Sequence, residues 1–325
     1  MKIRPYLTLC LICVLSACAS NESHKEGLGK PLLYTLANPK ESCTKEKATV
    51  PASQSFDVNN LDAALDALLA SAPNDETLLV YIHGRAAGEE KEPDKSLKFV
   101  IPCLQSENKV RVLMFFWPGS AEGGALGFPV DQARNAAPEL EQTLAKLALN
   151  KQKNNNNLQH RKIVLLPHSL GNIVLEKVME SYAAGSLPKK LFNTIILSAS
   201  ASPAKEHADW LRRVDFSDNI YVVVNSDDPV LDKAGMREIE ARLGKKLKTA
   251  FAGKVALAKN AIYLDISDTE ADTHRYFLHP NQEGNQYLRM FFENVLIGSP
   301  LDFKGFKGIE SIEKRDGTHV YHLKR

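Results

Sequence analysis

The chain reads as an α/β protein, with a mostly parallel central sheet, helices on both faces and a C-terminal β-hairpin. Three observations predict this. Short runs rich in branched and aromatic residues recur along the chain and fit strands buried on both faces. Apolar stripes with helical spacing lie between some of these runs. The tail alternates apolar and polar residues around Asp316-Gly317, a favoured tight-turn pair. Alternating strands and helices pack most simply as parallel strands joined by crossovers.

The first seventeen residues read as a signal peptide rather than as fold. Lys2 and Arg4 precede an apolar stretch from Tyr6 to Leu15, which is too short to span a bilayer comfortably. It ends in Leu15-Ser16-Ala17-Cys18, which resembles the lipobox of bacterial lipoproteins. That resemblance implies lipidation at Cys18 and a place in the bacterial cell envelope, anchored by acyl chains. Ala19, not Asp, follows the cysteine and implies outer-membrane sorting, with the face of the membrane left open. The rival reading is an ordinary secretory signal cut near Ala17 or Ala19. Residues 18–30 carry the lipid site and a polar tether. Cys10 and Cys13 fall in the signal, so their spacing is not a metal site. Cys43 and Cys103 are left, and an exported location favours a disulfide between them.

Residues 31–300 carry the main domain, and residues 301–325 add the hairpin. The strands are expected at Leu79–Ile82, Val110–Phe116, Ile163–Leu166, Thr194–Leu197, Tyr221–Val224 and Ala261–Ile266. Leu61, Ala64, Leu65, Leu68 and Leu69 share one helical face. Ala133, Ala137, Leu140, Leu144 and Leu147 form a second stripe, and Tyr287, Leu288, Phe291, Phe292 and Val295 a third. The charged run Glu89–Lys98 reads as a solvated loop, as does Lys151–Asn157 with its four asparagines. A composition of 44% hydrophobic and 25% charged residues excludes global disorder. Formal charge is +2, and without Lys2 and Arg4 the balance is neutral, giving no electrostatic case for nucleic-acid binding.

The segment from Lys162 to Asn172 carries the chemistry. A buried-strand run ends abruptly in His168-Ser169-Leu170-Gly171, and a helix-compatible segment follows. Such a strand-to-helix turn lifts one serine hydroxyl clear of the sheet. A serine becomes nucleophilic only beside a base, and the base needs a carboxylate to fix its tautomer. After Ser169, either Asp227 or Asp228 follows the Tyr221–Val224 strand. His274 lies just beyond the last of the six strands and is the first choice for base, with His279 in reserve. Negative charge on an attacked carbonyl needs N–H donors. Leu170 supplies one directly after the serine. The loop Tyr81-Ile-His-Gly-Arg85 supplies the other from Arg85, with Gly84 as the alternative.

Together these landmarks resemble the α/β-hydrolase superfamily, in a poorly characterised bacterial esterase-like branch, across residues 78–296. The resemblance rests on His83-Gly84, Phe115-Phe-Trp-Pro118, Asp131, His168-Ser-Leu-Gly171, Asp228-x-x-Leu231 and His274-x-Tyr-Phe277. It implies Asp228 rather than Asp227, His274 rather than His279, and hydrolysis of esters or related acyl bonds through an acyl-enzyme on Ser169. Transfer of the acyl group to an alcohol is the enzymatic alternative. A non-catalytic envelope binding protein is the other. Pro167 departs from the pattern, which usually places a small residue two before the serine; its missing N–H suits a strand end but not a ladder interior. His83 and His168 read as packing residues without an acid–base role, and Asp131 as a helix N-terminal charge or a support for the site. No metal or nucleotide motif is present, so no cofactor is expected. The expected partners are a small or lipid-like acyl substrate and a membrane reached through the lipid anchor.

Overall fold

Among the described residues ten strands form one sheet, in the order β2 (Ser53–Asp57), β1 (Leu32–Leu36), β4 (Val110–Phe116), β3 (Thr77–Ile82), β5 (Ile163–Pro167), β6 (Phe192–Leu197), β7 (Ser217–Val224), β8 (Ile262–Asp265), β10 (Thr318–Leu323) and β9 (Ile309–Arg315). The computed structural model describes residues 30–36, 53–70, 72–85, 96–119, 128–153, 158–232, 241–245, 255–269, 274–278, 285–315 and 317–324. Cys18, Cys43 and His279 therefore lie outside the described residues, as does the signal segment. Pro31–Arg325 forms one unit.

The sheet's centre is parallel and buried. Here β3 (Thr77–Ile82) pairs with β4 (Val110–Phe116) on one side and β5 (Ile163–Pro167) on the other. Beyond β5 come β6 (Phe192–Leu197), β7 (Ser217–Val224) and β8 (Ile262–Asp265), all parallel. All six expected strands are present. Continuous apolar runs such as Leu78 to Ile82 suit strands covered on both faces. Helices α4 (Ala137–Gln152), α5 (Gly171–Ser181) and α6 (His207–Leu211) connect these strands and pack in series, with α1 (Leu61–Leu69) against α4. The connection from β3 to β4 runs the opposite way along the sheet, so a right-handed crossover sends α2 (Ile101–Glu107) to the other face.

Pro138 corrects the second apolar stripe. One helix was expected through Ala133 and Ala137, but the chain forms α3 (Val130–Asn135) and then α4. Proline at the start of a helix loses nothing, because its N–H would be unpaired there, whereas mid-helix it breaks a bond. Of the two expected loops, residues 89–95 and 154–157 lie outside the described residues. Ser96–Val100 is a π-type turn leading into α2, and α4 continues through Gln152.

The two ends of the sheet differ from its centre. At one end β1 (Leu32–Leu36) lies antiparallel between β4 and β2 (Ser53–Asp57). At the other, β9 (Ile309–Arg315) and β10 (Thr318–Leu323) form the expected hairpin, and Gly317 at its turn takes a φ of +83°. β10 then joins β8 in parallel. The last helix, α7 (Gln286–Val295), places Phe291 edge-on against Tyr221 of β7.

Candidate active site

Chain order reverses direction at the β3–β5 pair: the chain steps outward from β3 to β4, then crosses back to β5. Crevices beyond the carboxyl ends of strands at such a point are where open α/β sheets bind ligands. The β3 loop, Ser169 after β5, Asp228 after β7 and His274 after β8 all follow the carboxyl ends of their strands.

At the end of β5, Ser169 takes a φ of +55°, in the left-handed region that a serine rarely adopts. The conformation costs about 1–3 kcal/mol and persists only where surroundings enforce it. The Ser169 N–H donates to Ser198 O at 3.1 Å, and the Gly171 N–H closes the turn on His168 O at 2.8 Å. Helix α5 starts immediately, so the serine sits on a sharp strand-to-helix corner. Among the described residues its hydroxyl caps no helix N–H.

Two glycines permit the corner. A Cβ at Gly171 would lie 2.5 Å from Ile82 O and 2.8 Å from His83 O, so only glycine lets the helix approach β3. A Cβ at Gly84 would lie 2.7 Å from the Ser169 Cβ, which puts the β3 loop directly against the serine. Pro167 is the last residue of β5, where a missing N–H is harmless. The departure from the family pattern is thus accommodated.

His83 orders the β3 loop. Its Nε2 accepts from the Trp117 N–H at 3.0 Å, while the Trp117 indole N–H donates back to His83 O at 2.9 Å. The ring stacks on Phe116 and Trp117. Burial lowers its pKa to about 4, against the opposing pull of backbone hydrogen bonds, so it is neutral at pH 7. The Arg85 guanidinium lies 5.4 Å from the centre of the Phe128 ring.

Across the crevice, the His274 Nδ1–H donates to Asp228 Oδ2 at 2.7 Å. Asp228 is fully buried, and its other oxygen accepts the Val230 and Leu231 N–H groups at 2.9 and 3.1 Å. Those bonds fix the orientation of the carboxylate. Asp227 is exposed. The structure therefore brings His274 together with Asp228 and not with Asp227.

His168 joins the two sides. Its Nε2–H donates to the His274 carbonyl at 3.0 Å, and the two rings lie 4.8 Å apart. Burial first, and then the neighbouring His274 and Arg275, push its pKa well below the ordinary value. His168, which directly precedes the serine, is thus a neutral strut braced against His274. Phe277 packs on both His168 and Tyr81. Tyr276 donates from its hydroxyl to Val223 O at 3.2 Å and accepts the Ala199 N–H.

Of the remaining landmarks, Trp117 is fully buried and Asp131 is an exposed charge in the first turn of α3. Cys103 is buried in α2. Sequence reasoning overlooked Asn172, which is fully buried and directs its Nδ2 at the carbonyls of Pro167, Ser169 and Ser198, 3.0 to 3.2 Å away. A single amide just past Gly171 belongs to no period. A polar residue on an otherwise apolar buried turn was the signal available.

A family model described as an alpha/beta hydrolase of unknown function (DUF900) matches residues 59–282. No curated protein matches the chain. Among solved structures, a cold-adapted esterase from an Arctic intertidal metagenomic library is 12% identical, with a TM-score of 0.39 over 67% of this chain and 82% of the other. An esterase of Pyrococcus furiosus is 11% identical, with a TM-score of 0.37 over 69% of this chain and 83% of the other. An esterase of Pyrobaculum calidifontis is 14% identical, with a TM-score of 0.35 over 68% and 75%.

Proposed function

Because the chain belongs to the α/β-hydrolase family of unknown function whose model spans residues 59–282, we propose that it is a serine hydrolase of carboxylic esters or related acyl bonds. The observation that carries this reading is the buried Asp228 carboxylate bonded to His274 at the sheet end where Ser169 holds its strained corner. A carboxylate on Nδ1 leaves Nε2 as the proton acceptor and stabilises the imidazolium that forms.

In this reading the Ser169 oxygen attacks the substrate carbonyl while His274 Nε2 takes the hydroxyl proton. The carbonyl oxygen gathers negative charge, which the N–H groups of Leu170 and Arg85 receive. Collapse of the adduct expels the alcohol, which takes its proton from His274, and leaves the acyl group on Ser169. Water then attacks with His274 again as base, releasing the acid and restoring the serine. Three supports for the Leu170 role are its place after the serine, its position at the start of α5, and an N–H that makes no hydrogen bond among the described residues.

Labelling with a fluorophosphonate probe tests the reading. The folded wild-type chain should be labelled and Ser169→Ala should not. Folded wild type that resists the probe would overturn the reading. Product analysis with and without an acceptor alcohol then separates hydrolysis from acyl transfer. A lipid anchor on Cys18 in the outer membrane, and a Cys43–Cys103 bridge, belong to the same proposal and rest on sequence. Cys18→Ser should release the protein from membranes, and an unchanged membrane fraction would count against the anchor.

A further inference from the structure

The peptide unit joining Ser169 to Leu170 has one end bare and the other crowded. At one end the Leu170 N–H makes no hydrogen bond among the described residues. At the other, the Ser169 carbonyl faces three donors: the Asn172 N–H at 3.1 Å, the Asn172 side-chain amide at 3.0 Å and the Ala201 N–H at 3.2 Å. Asn172 is fully buried, and the same Nδ2 reaches Pro167 O and Ser198 O as well. Its Oδ1 has no hydrogen-bond partner among the described residues. The amide cannot be turned around, since its oxygen would then meet three carbonyl oxygens.

A buried amide with half its capacity unused is a poor choice for packing alone. An alanine at this point of α5 would leave no polar atom stranded. What the amide does is draw on the carbonyl of the peptide whose N–H end is unbonded among the described residues. Donors on a carbonyl increase the double-bond character of its C–N bond, stiffen the peptide plane and make the N–H a stronger donor.

We infer that Asn172 is a positioning residue for the oxyanion site: it fixes the Ser169–Leu170 peptide and strengthens the Leu170 N–H toward the charged oxygen of the adduct. The inference rests on the serine-hydrolase reading and adds a residue that touches neither the substrate nor the Asp228–His274 pair. It also supplies a brace for the φ of +55° at Ser169, through the same carbonyl.

Asn172→Ala and Asn172→Ser separate this role from packing, because a serine can donate back to the carbonyl three residues earlier. For an aryl ester, Asn172→Ala should lower kcat about tenfold, less than the loss of a direct oxyanion donor. KM should stay within about twofold, and the pH dependence should keep its shape. The fluorophosphonate rate constant should fall in step, and Asn172→Ser should recover part of both. The Leu170 amide resonance gives a readout independent of turnover: its nitrogen and proton shifts should move in both variants, further in the alanine. Unchanged kcat with an unmoved Leu170 resonance would overturn the inference while leaving Ser169 in place. An alanine variant that fails to fold leaves the serine variant and its resonance to decide. Folded wild type that neither turns over nor takes the probe would overturn the hydrolase reading, and this inference with it.

Discussion

On the β3–β5 side of the crevice Ser169 is held by main chain, through Ser198 O, through the turn onto His168 O and through two glycines that let backbone meet backbone. On the β7–β8 side His274 is held by side chains. Asp228 fixes its Nδ1, His168 fixes its carbonyl, and Tyr276 two residues on ties the segment to Val223 and Ala199. One side is built by close approach and the other by reach. Adding atoms should therefore damage the first, and deleting hydrogen-bonding groups should damage the second.

The largest deletion effect is expected at Asp228. Asp228→Asn keeps the shape but removes the charge and favours the wrong imidazole tautomer, so kcat should fall about 10⁴-fold. Asp227 is exposed, and Asp227→Asn should stay within about twofold of wild type. Equal losses in steady-state kinetics would show that the acid had been misassigned.

The matching addition is Gly171→Ala. The new methyl would press on two backbone oxygens, neither of which can swing away as a side-chain end could. Overpacking of this kind costs about 3 kcal/mol, visible as a lower denaturant midpoint with an unchanged m-value. A variant as stable as wild type would mean that the helix approaches β3 less closely than this geometry requires.

The buried histidines sharpen the comparison through pH. His83 has its pKa lowered to about 4 by burial, against an ordinary 6.5. Between those values the unfolded chain binds a proton that the folded chain refuses, so stability is full above pH 6.5 and declines as pH falls toward 4. His83 alone would contribute a loss of about 3 kcal/mol across that window. His168 and His207, also lowered by burial, act in the same direction. His83→Gln should flatten the fall, measured by thermal unfolding between pH 4 and 7. A slope unchanged by the substitution would place the titration elsewhere.

The parts held by main chain were also the parts most legible in the sequence. Central strands such as Leu78–Ile82 announce themselves because burial on both faces demands an unbroken apolar run. The His168-Ser-Leu-Gly171 corner is legible because only glycine fits against Ile82 O. Edge strands were not: β2, with the sequence Ser-Gln-Ser-Phe-Asp, is half solvated and carries almost no apolar signal. The split between α3 and α4 was hidden because Pro138 interrupts backbone bonding without disturbing the stripe. On the side-chain side, the two neighbouring aspartates looked alike until burial and the backbone bonds from Val230 and Leu231 distinguished them. Local sequence records what a segment must bury, and it records poorly which distant group a side chain will meet.

Tyr276 gives the smallest of these effects and the finest test of the contrast. Its hydroxyl bridges Val223 O at the end of β7 and the Ala199 N–H just past β6, and Ala199 itself has a φ of +45°. Tyr276→Phe removes one oxygen and leaves a buried donor and a buried acceptor facing an apolar edge. Each unsatisfied group costs about 1 kcal/mol, so a total near 2 kcal/mol is expected in equilibrium unfolding. If Tyr276 steadies His274 as well as the sheet, kcat should fall about threefold at temperatures where the variant is fully folded. The fluorophosphonate rate should fall with it. A loss of stability with kcat untouched would mean that Asp228 and His168 suffice to hold the imidazole, and that Tyr276 only staples two loops of the sheet edge together.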